Sequence, residues 1–416
     1  MLQRITIRGF KSLRDIAVDL PQMTVFFGPN AAGKSNFLDA LQFLSAAATK
    51  RTLQEALGDP IRGYPIEAFS FPPAGLEGLM AQATPEFTID SHLLPDSKSG
   101  IHSLHYRLTV GIQPRSGRLA VMDEFLERLA KGGQSAGQAR IEHVDSAVVV
   151  RKKQTGKPQQ EPRRENHTIV SVPAFSGEYF PEIEALRAEV SAWRTYYLDP
   201  RTAMRRPMPP SQVVDIGLTG DQLPAFLFML KQTPEFRPRF QAVERMVRQV
   251  VSSVEAIDVE LNEKRAEIEL FVTQNGIRYS NRVISEGTLR VIALAAITMN
   301  PHPSRLVALE EPENGVQPRR LESITTILGH LAIDRDVQVI VNTHSPLFVS
   351  QALRLQRKHP KQVSVVHVSH DSTGSRFTPV GDPAELFLQD DRVLKLLESD
   401  EDASIQAMLM RGLLDA

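Results

Sequence analysis

The hydrophobic pattern changes character along this chain. Short, largely apolar runs stand out near both ends: Thr24-Val25-Phe26-Phe27, Leu306-Val307-Ala308-Leu309 and Val337 to Val341, the last broken only by Gln338. Leu306–Leu309 predicts a fully buried central strand of a parallel sheet, Val337–Val341 another buried strand, and Thr24–Phe27 a short strand. Val363–Val368 predicts a last strand. From about Phe69 to Val172 the period is two instead, as in Phe87–Leu93, Leu104–Ile112 and Ala147–Lys152. Turn-rich pieces such as Pro114-Arg115-Ser116-Gly117 separate these runs, which predicts an antiparallel, β-rich region. Between Glu182 and about Ser252 the spacing is helical: Ile183, Leu186, Val190 and Trp193, then Phe236, Phe240, Val243, Met246 and Val250. Strands near Ala256–Leu261 and Ala266–Val272 follow. Ala384 to Leu414 reads as closing helices.

The run Leu306–Leu309 ends in Glu310-Glu311-Pro312-Glu313. Open α/β sheets bind ligands at the carboxyl ends of their strands, which is where two adjacent carboxylates would emerge. Like charges side by side are costly unless a cation or proton chemistry uses them. Taken alone, the pair also reads as a solvated turn capped by Pro312.

The run Thr24–Phe27 leads into Gly28-Pro29-Asn30-Ala31-Ala32-Gly33-Lys34-Ser35, which is G-x-x-x-x-G-K-S between a strand and a helix. Apolar Phe37, Leu38, Leu41, Phe43 and Leu44 give that helix one buried face. Gly28 and Gly33 let consecutive N–H groups turn inward around phosphate oxygens. The helix N-terminus adds partial positive charge. Lys34 has the reach for the β- and γ-phosphates, and the Ser35 hydroxyl for Mg²⁺.

Two further stretches gain meaning beside that loop. Ile284-Ser285-Glu286-Gly287-Thr288 precedes an aliphatic helix beginning near Val291, so a Ser and a Gly sit at a helix mouth. That is either a second anion site or an ordinary N-cap. Val337–Val341 is followed by Asn342-Thr343-His344-Ser345-Pro346, which puts a histidine at a strand end. Such a histidine senses a γ-phosphate, positions water, or serves as a structural hydrogen-bonder.

All four features occur in one chain and in order. The stretches "ITIRGFKSL", "FFGPNAAGKSNFLDALQFL", "ISEGTLRVIAL", "LVALEEPENGVQP" and "VNTHSPLFV" resemble the ABC-type ATPases of the RecF and SMC kind, within the bacterial RecF-like and OLD-like "AAA family ATPase" group. The resemblance implies an α/β fold: a P-loop NTPase head of ABC type, a mixed sheet flanked by helices, with a β-rich plus helical insertion. It implies a slow, regulated ATPase using ATP and Mg²⁺. Gly28, Pro29, Asn30, Ala31, Ala32, Gly33, Lys34, Ser35 and Asn36 would surround the phosphates. Glu310 would join Ser35 on the Mg²⁺ side, Glu311 would be the base for the attacking water, and His344 the switch histidine. Ser285 and Gly287 would reach the γ-phosphate of a second copy, with Asn314 in the dimer-contact loop. The lid-linking glutamine is not fixed, Gln113 being one candidate.

Composition narrows the class. At 416 residues the chain has room for a head with a large insertion, expected as 1–68 (N-terminal lobe), 69–254 (insertion), 255–375 (C-terminal lobe) and 376–416 (helical segment). The absence of cysteine excludes disulfides, thiolate zinc sites and a cysteine nucleophile, and fits a reducing cytoplasm. No run spans a bilayer and no signal-peptide core is present, so no membrane role is expected. With 48 basic against 49 acidic residues, a DNA contact would be a local patch. Arg151-Lys152-Lys153, Lys157 and Arg163-Arg164 are one such cluster, or a solvated hairpin tip. Arg201, Arg205 and Arg206 read as structural, and Asp390-Asp391 as solvated. No heptad arms and no space for a nuclease module follow. The expected partners are a second copy in an ATP-dependent homodimer or higher oligomer, and an effector such as a nuclease or toxin subunit in anti-phage defence. A DNA clamp in repair, as in RecF, is the alternative.

Overall fold

A computed structural model of the chain describes residues 1–59, 61–145, 147–153, 158–162 and 165–381. Lys157, Arg163-Arg164, Asp390-Asp391 and the helices expected from Ala384 to Leu414 lie outside the described residues. The elements in order are β1 (Leu2–Phe10), β2 (Leu13–Asp19), β3 (Met23–Phe27), α1 (Lys34–Ala47), α2 (Leu53–Ala56) and α3 (Gly75–Met80). Next come β4 (Glu86–Leu93), β5 (Ser103–Gln113), β6 (Arg118–Leu129), β7 (Ile141–Val144), β8 (Ala147–Val150), β9 (Gln159–Pro162) and α4 (Pro181–Ser191). After β10 (Trp193–Tyr196) follow α5 (Leu223–Gln232), α6 (Arg237–Val250), β11 (Val254–Asn262), β12 (Glu267–Gln274) and β13 (Ile277–Ser280). The remainder is α7 (Glu286–Thr298), β14 (Leu306–Glu310), α8 (Leu321–Ile333), β15 (Gln338–Thr343), α9 (Pro346–Lys358), β16 (Val363–Asp371) and β17 (Gly374–Pro379).

The chain folds into two compact units. The first contains Met1–Pro21, Gly28–Trp193 and Val366–Pro379. Its sheet has the order β2-β1-β4-β5-β6-β7-β8-β9, antiparallel at every pairing. Alternation dictates this: Ile5, Ile7, Phe87, Ile89, Leu108 and Val110 are buried on one face, while Thr6, Asp90 and Arg107 stand on the other. The strands before and after residue 68 therefore share one sheet, with Ile7 opposite Ile89. Helix α1 packs beneath it, the Phe43 ring meeting Phe87 edge-on at 5.2 Å and Phe10 meeting Phe87 at 5.1 Å. Each such buried aromatic contributes roughly 1.5–3 kcal/mol.

The second unit contains Gln22–Phe27 and Arg194–Val365, together with Val380. Strands β14, β15 and β3 lie parallel in that order, with Glu310 opposite Asn342, Asn342 opposite Phe26 and Thr343 opposite Phe27. Every residue of β3 and β15 is buried, including the polar Gln338, Asn342 and Thr343 of β15. Helix α7 is buried from Gly287 to Thr298 and packs on α6, whose Phe240, Val243, Val247 and Val250 face the core. A three-stranded antiparallel sheet, β11-β12-β13, completes the unit. No helix among the described residues is long and apolar enough to cross a membrane.

Candidate nucleotide site

In the first unit, Gly28 to Lys34 forms a tight loop before α1. Gly28 (φ 146°) and Gly33 (φ 107°) occupy backbone that L-residues rarely adopt, and Ala31 (φ 65°) is left-handed as well. A Cβ at Gly28 would run into the Val368 carbonyl, and one at Gly33 into the Ser375 and Ser12 hydroxyls. Both glycines are thus demanded by contacts as well as by φ. Lys34 is buried and donates to the Gly28 and Pro29 carbonyls at 2.5 and 2.7 Å. Asn36 donates to Ser12 Oγ at 2.8 Å, and Ser12 contacts Ser375 at 2.8 Å.

Beside the loop is a cleft of ≈ 490 Å³ lined by Lys11, Ser12, Arg14, Arg62, Phe69 and Phe71, among others. Lys11 and Arg62 share the fully buried Asp39 carboxylate at 2.6 and 2.9 Å. The sequence pattern offered no signal for Arg62 or Asp39, which only the fold joins to the "GFKSL" turn. Gln113 ends β5 on the surface, its side chain accepting from Ser116 at 3.2 Å.

In the second unit, the carboxyl end of β14 delivers the acids. Glu311 is left-handed (φ 47°), an unusual state for a long side chain. Its N–H donates to the Asn342 carbonyl at 2.8 Å, and its carbonyl accepts from the buried Arg290 at 2.8 Å. This twist sets the Glu311 carboxylate against His344, Nδ1 to Oε1 at 2.6 Å, while the Asn314 amide donates to Oε2. The structure therefore joins Glu311, Asn314 and His344. Glu310 ends the strand beside Asn342.

Three neighbours carried no assignment from sequence. Glu313 is buried, accepts from the Thr343 hydroxyl through Oε1, and has no hydrogen bond to Oε2 among the described residues. Burial pushes its carboxyl above the usual range. Asn342 is buried with both amide atoms unpaired among the described residues. Arg290 bonds the Leu198 carbonyl at 3.3 Å as well as Glu311, and burial lowers its pKa. Only Glu313 had a local signal, as the third acid of the run.

The serine–glycine stretch is also in this unit. Ser285 is exposed and caps α7, its hydroxyl accepting from Thr288 N at 3.2 Å. A Cβ on Gly287 would strike the Gly315 carbonyl, so the signature helix packs by its backbone against the loop after the acids. Arg205 donates to the Asn281, Arg282 and Ile284 carbonyls at 2.9, 2.6 and 2.7 Å and so fixes the approach to Ser285. That is the structural role its sequence context suggested.

Just over half of the chain, residues 138–350, matches the family model described as "AAA domain, putative AbiEii toxin, Type IV TA system". The chain belongs to this family. Residues 1–111 match a second model, "AAA ATPase domain". The DNA replication and repair protein RecF of Lactobacillus acidophilus is 38% identical over 52 residues, 12% of this chain and 14% of that protein. RecF of Lactobacillus johnsonii is 29% identical over 98 residues, 23% of this chain and 24% of that protein. The chromosome partition protein Smc of Methanocaldococcus jannaschii is 35% identical over 54 residues, 13% of this chain and 5% of that protein. The chain thus spans less than a quarter of the length of these curated relatives. Among solved structures, an Smc head bound to the C-winged helix domain of ScpA superposes with a TM-score of 0.55 at 13% identity, covering 92% of this chain and 99% of that one. An Smc head with a coiled coil and joint from Pyrococcus yayanosii gives 0.51 at 10% identity, covering 91% and 97%. The fold is a P-loop ATPase head of ABC type, and the chain is a RecF/SMC-like ATPase.

Proposed function

We propose that this ATPase hydrolyses ATP with Glu311 as the base, and that ATP-dependent pairing of two copies gates a partner effector. The contact between Glu311 and His344 carries this reading. It sits at the carboxyl ends of adjacent parallel strands β14 and β15, and the next strand, β3, runs directly into the Gly28 loop.

Each unit by itself offers groups of the kind that Mg²⁺·ATP takes. Ser35 in the first unit and Glu310 in the second are both hard oxygen donors, which suit Mg²⁺. In the first unit Gly28 and Gly33 let the loop turn tightly where no Cβ has room, and in the second Asn342 keeps a buried amide without a partner among the described residues. Mg²⁺·ATP, when bound, supplies the labile phosphoanhydride and the cation that offsets its oxygens. Lys34, which now bonds two loop carbonyls, is placed to exchange them for phosphate oxygens. The cleft of Lys11, Arg14, Phe69 and Phe71 offers cations and aromatic faces for the nucleoside end. His344 and Asn314 each hold one oxygen of Glu311, which leaves the remaining lone pairs to take a proton from water. The exposed Ser285, at the N-terminus of α7, is the group available to a second copy. A toxin-related effector role draws support from the family description, and a docked partner from the Smc head that binds a ScpA domain.

Glu311→Gln should bind ATP yet hydrolyse it at least ~100-fold more slowly, because a general base supplies about 10²–10⁴. It should also accumulate as an ATP-bound dimer in analytical ultracentrifugation. Near-normal turnover would remove Glu311 from its role, and a mass unchanged by ATP would remove the dimer. The RecF matches favour a second reading, a DNA clamp closed by ATP. ATP-dependent retention of duplex DNA that falls steeply with salt would select it.

A further inference from the structure

The polar face of the eight-stranded sheet in the first unit carries a group of side chains that the nucleotide chemistry does not use. His92 on β4 lies directly opposite His105 on β5, and His105 lies opposite Glu127 on β6. Asp90, two residues before His92, shares their face. His105 bridges two carboxylates, with Nε2 3.0 Å from Asp90 Oδ1 and Nδ1 3.1 Å from Glu127 Oε1. The His92 ring stacks on His105 with centroids 4.7 Å apart and planes 26° from parallel. Unlike its neighbour, His92 makes no side-chain hydrogen bond among the described residues. One ligand atom each from Asp90, His92 and His105 can be chosen so that all three lie within 4.8 Å of one another.

We propose that Asp90, His92 and His105 form a site for a borderline divalent transition ion of the Zn²⁺ type, with Glu127 orienting His105.

A half-buried imidazole paired with two carboxylates is by itself an ordinary ion pair. The second imidazole, His92, stacked on the first and without a side-chain hydrogen bond among the described residues, separates this cluster from that case. Two imidazoles and one carboxylate are a common zinc donor set, and three protein ligands leave a fourth position open. Ligand atoms about 2.0–2.2 Å from a tetrahedral ion lie roughly 3.3 Å apart, close to the Asp90–His105 separation. A ring nitrogen of His92 lies within 4.8 Å of both other donors, and it has no side-chain hydrogen bond to break among the described residues. Glu127 holds Nδ1 of His105 and thereby presents Nε2, the arrangement that fixes tautomer and ring angle in histidine–metal sites. The strands on either side are paired, so the donors stand on rigid backbone. The nearby cations are occupied elsewhere: Arg4 bonds Asp19 at 3.0 Å, and Arg107 bonds Asp123 at 2.9 Å. Burial lowers the His92 pKa toward the neutral, ligating form, and the Asp90 contact raises that of His105, so metal binding would release a proton there.

The test uses the full chain, stripped with a chelator and titrated with Zn²⁺ alone against a chromophoric competitor, without nucleotide. Wild type should take up one high-affinity Zn²⁺ per chain and melt at a higher temperature with it. His92→Phe keeps the ring stack but removes the donor, and should weaken that affinity at least 10-fold. Glu127→Gln should weaken it by about 10–100-fold. Glu310→Gln should leave it unchanged, because the nucleotide-side acids take no part. Circular dichroism checks that each variant is folded. Absence of saturable Zn²⁺ uptake by wild type, or wild-type uptake by His92→Phe, would overturn the proposal. Loss of uptake in Glu310→Gln would assign the ion to the nucleotide site instead and equally overturn it.

Discussion

Glu124 on β6 gives a stability prediction with a definite sign. Its carboxyl is fully buried, accepting from the backbone N–H of Ile169 and Val170 at 2.7 and 3.2 Å and from the Tyr106 hydroxyl at 3.0 Å. Burial pushes its pKa from an ordinary 4.5 to about 7, against the pull of those donors. The folded state therefore keeps a proton that the unfolded chain has released. The stability this group contributes is fully present below pH 4.5 and is lost as pH rises through about 7. At about 1.36 kcal/mol per pH unit, the loss is on the order of 3 kcal/mol. Glu124→Gln cannot titrate, so the stability difference between wild type and variant should fall by that amount between pH 4.5 and pH 7 and then level off. Urea unfolding over this range, followed by fluorescence, isolates the effect, since groups common to both proteins cancel in the difference. The single tryptophan, Trp193, belongs to the same unit as Glu124 and is buried, which makes it a suitable reporter. A difference that stays constant with pH, or grows as pH rises, would refute the reasoning.

Lys34→Ala should weaken nucleotide binding or abolish productive hydrolysis, and normal steady-state kinetics would sink the phosphate-loop assignment. His344→Ala frees one oxygen of Glu311 without removing the base, so kcat should fall by about 10- to 100-fold with nucleotide affinity preserved. A loss exceeding that of Glu311→Gln, measured in the same assay, would mean His344 does more than orient. Gly287→Ala forces a methyl into the Gly315 carbonyl and should cost about 1–3 kcal/mol by thermal or urea unfolding. An unchanged melting point would show that the α7 packing tolerates a side chain there.

Much of the candidate site was legible because it is written in local spacing. The Gly28–Ser35 loop requires glycines at fixed intervals, and the structure shows why at Gly28 and Gly33, where a Cβ has no room. The aliphatic runs of β14 and β15 marked buried strands, and alternation marked β4 and β5 as buried on one face. Periodicity reports which faces meet the core, and it is intrinsic to the chain. It does not report which strand lies alongside. The pairing of β1 with β4, around 80 residues apart, is a long-range choice decided by matching buried faces such as Ile7 and Ile89. The resemblance proposed Glu311 as the base, but its left-handed backbone and its contact with His344 depend on Arg290 and on the β14–β15 register. The sequence therefore determined the chemistry available at the strand ends and the type of each strand. Tertiary structure alone decided the partners: Asp39 with Lys11 and Arg62, Glu313 with Thr343, and His92 with His105. Contacts between distant residues depend on how faces and strands register in the folded chain, and no local pattern encodes that.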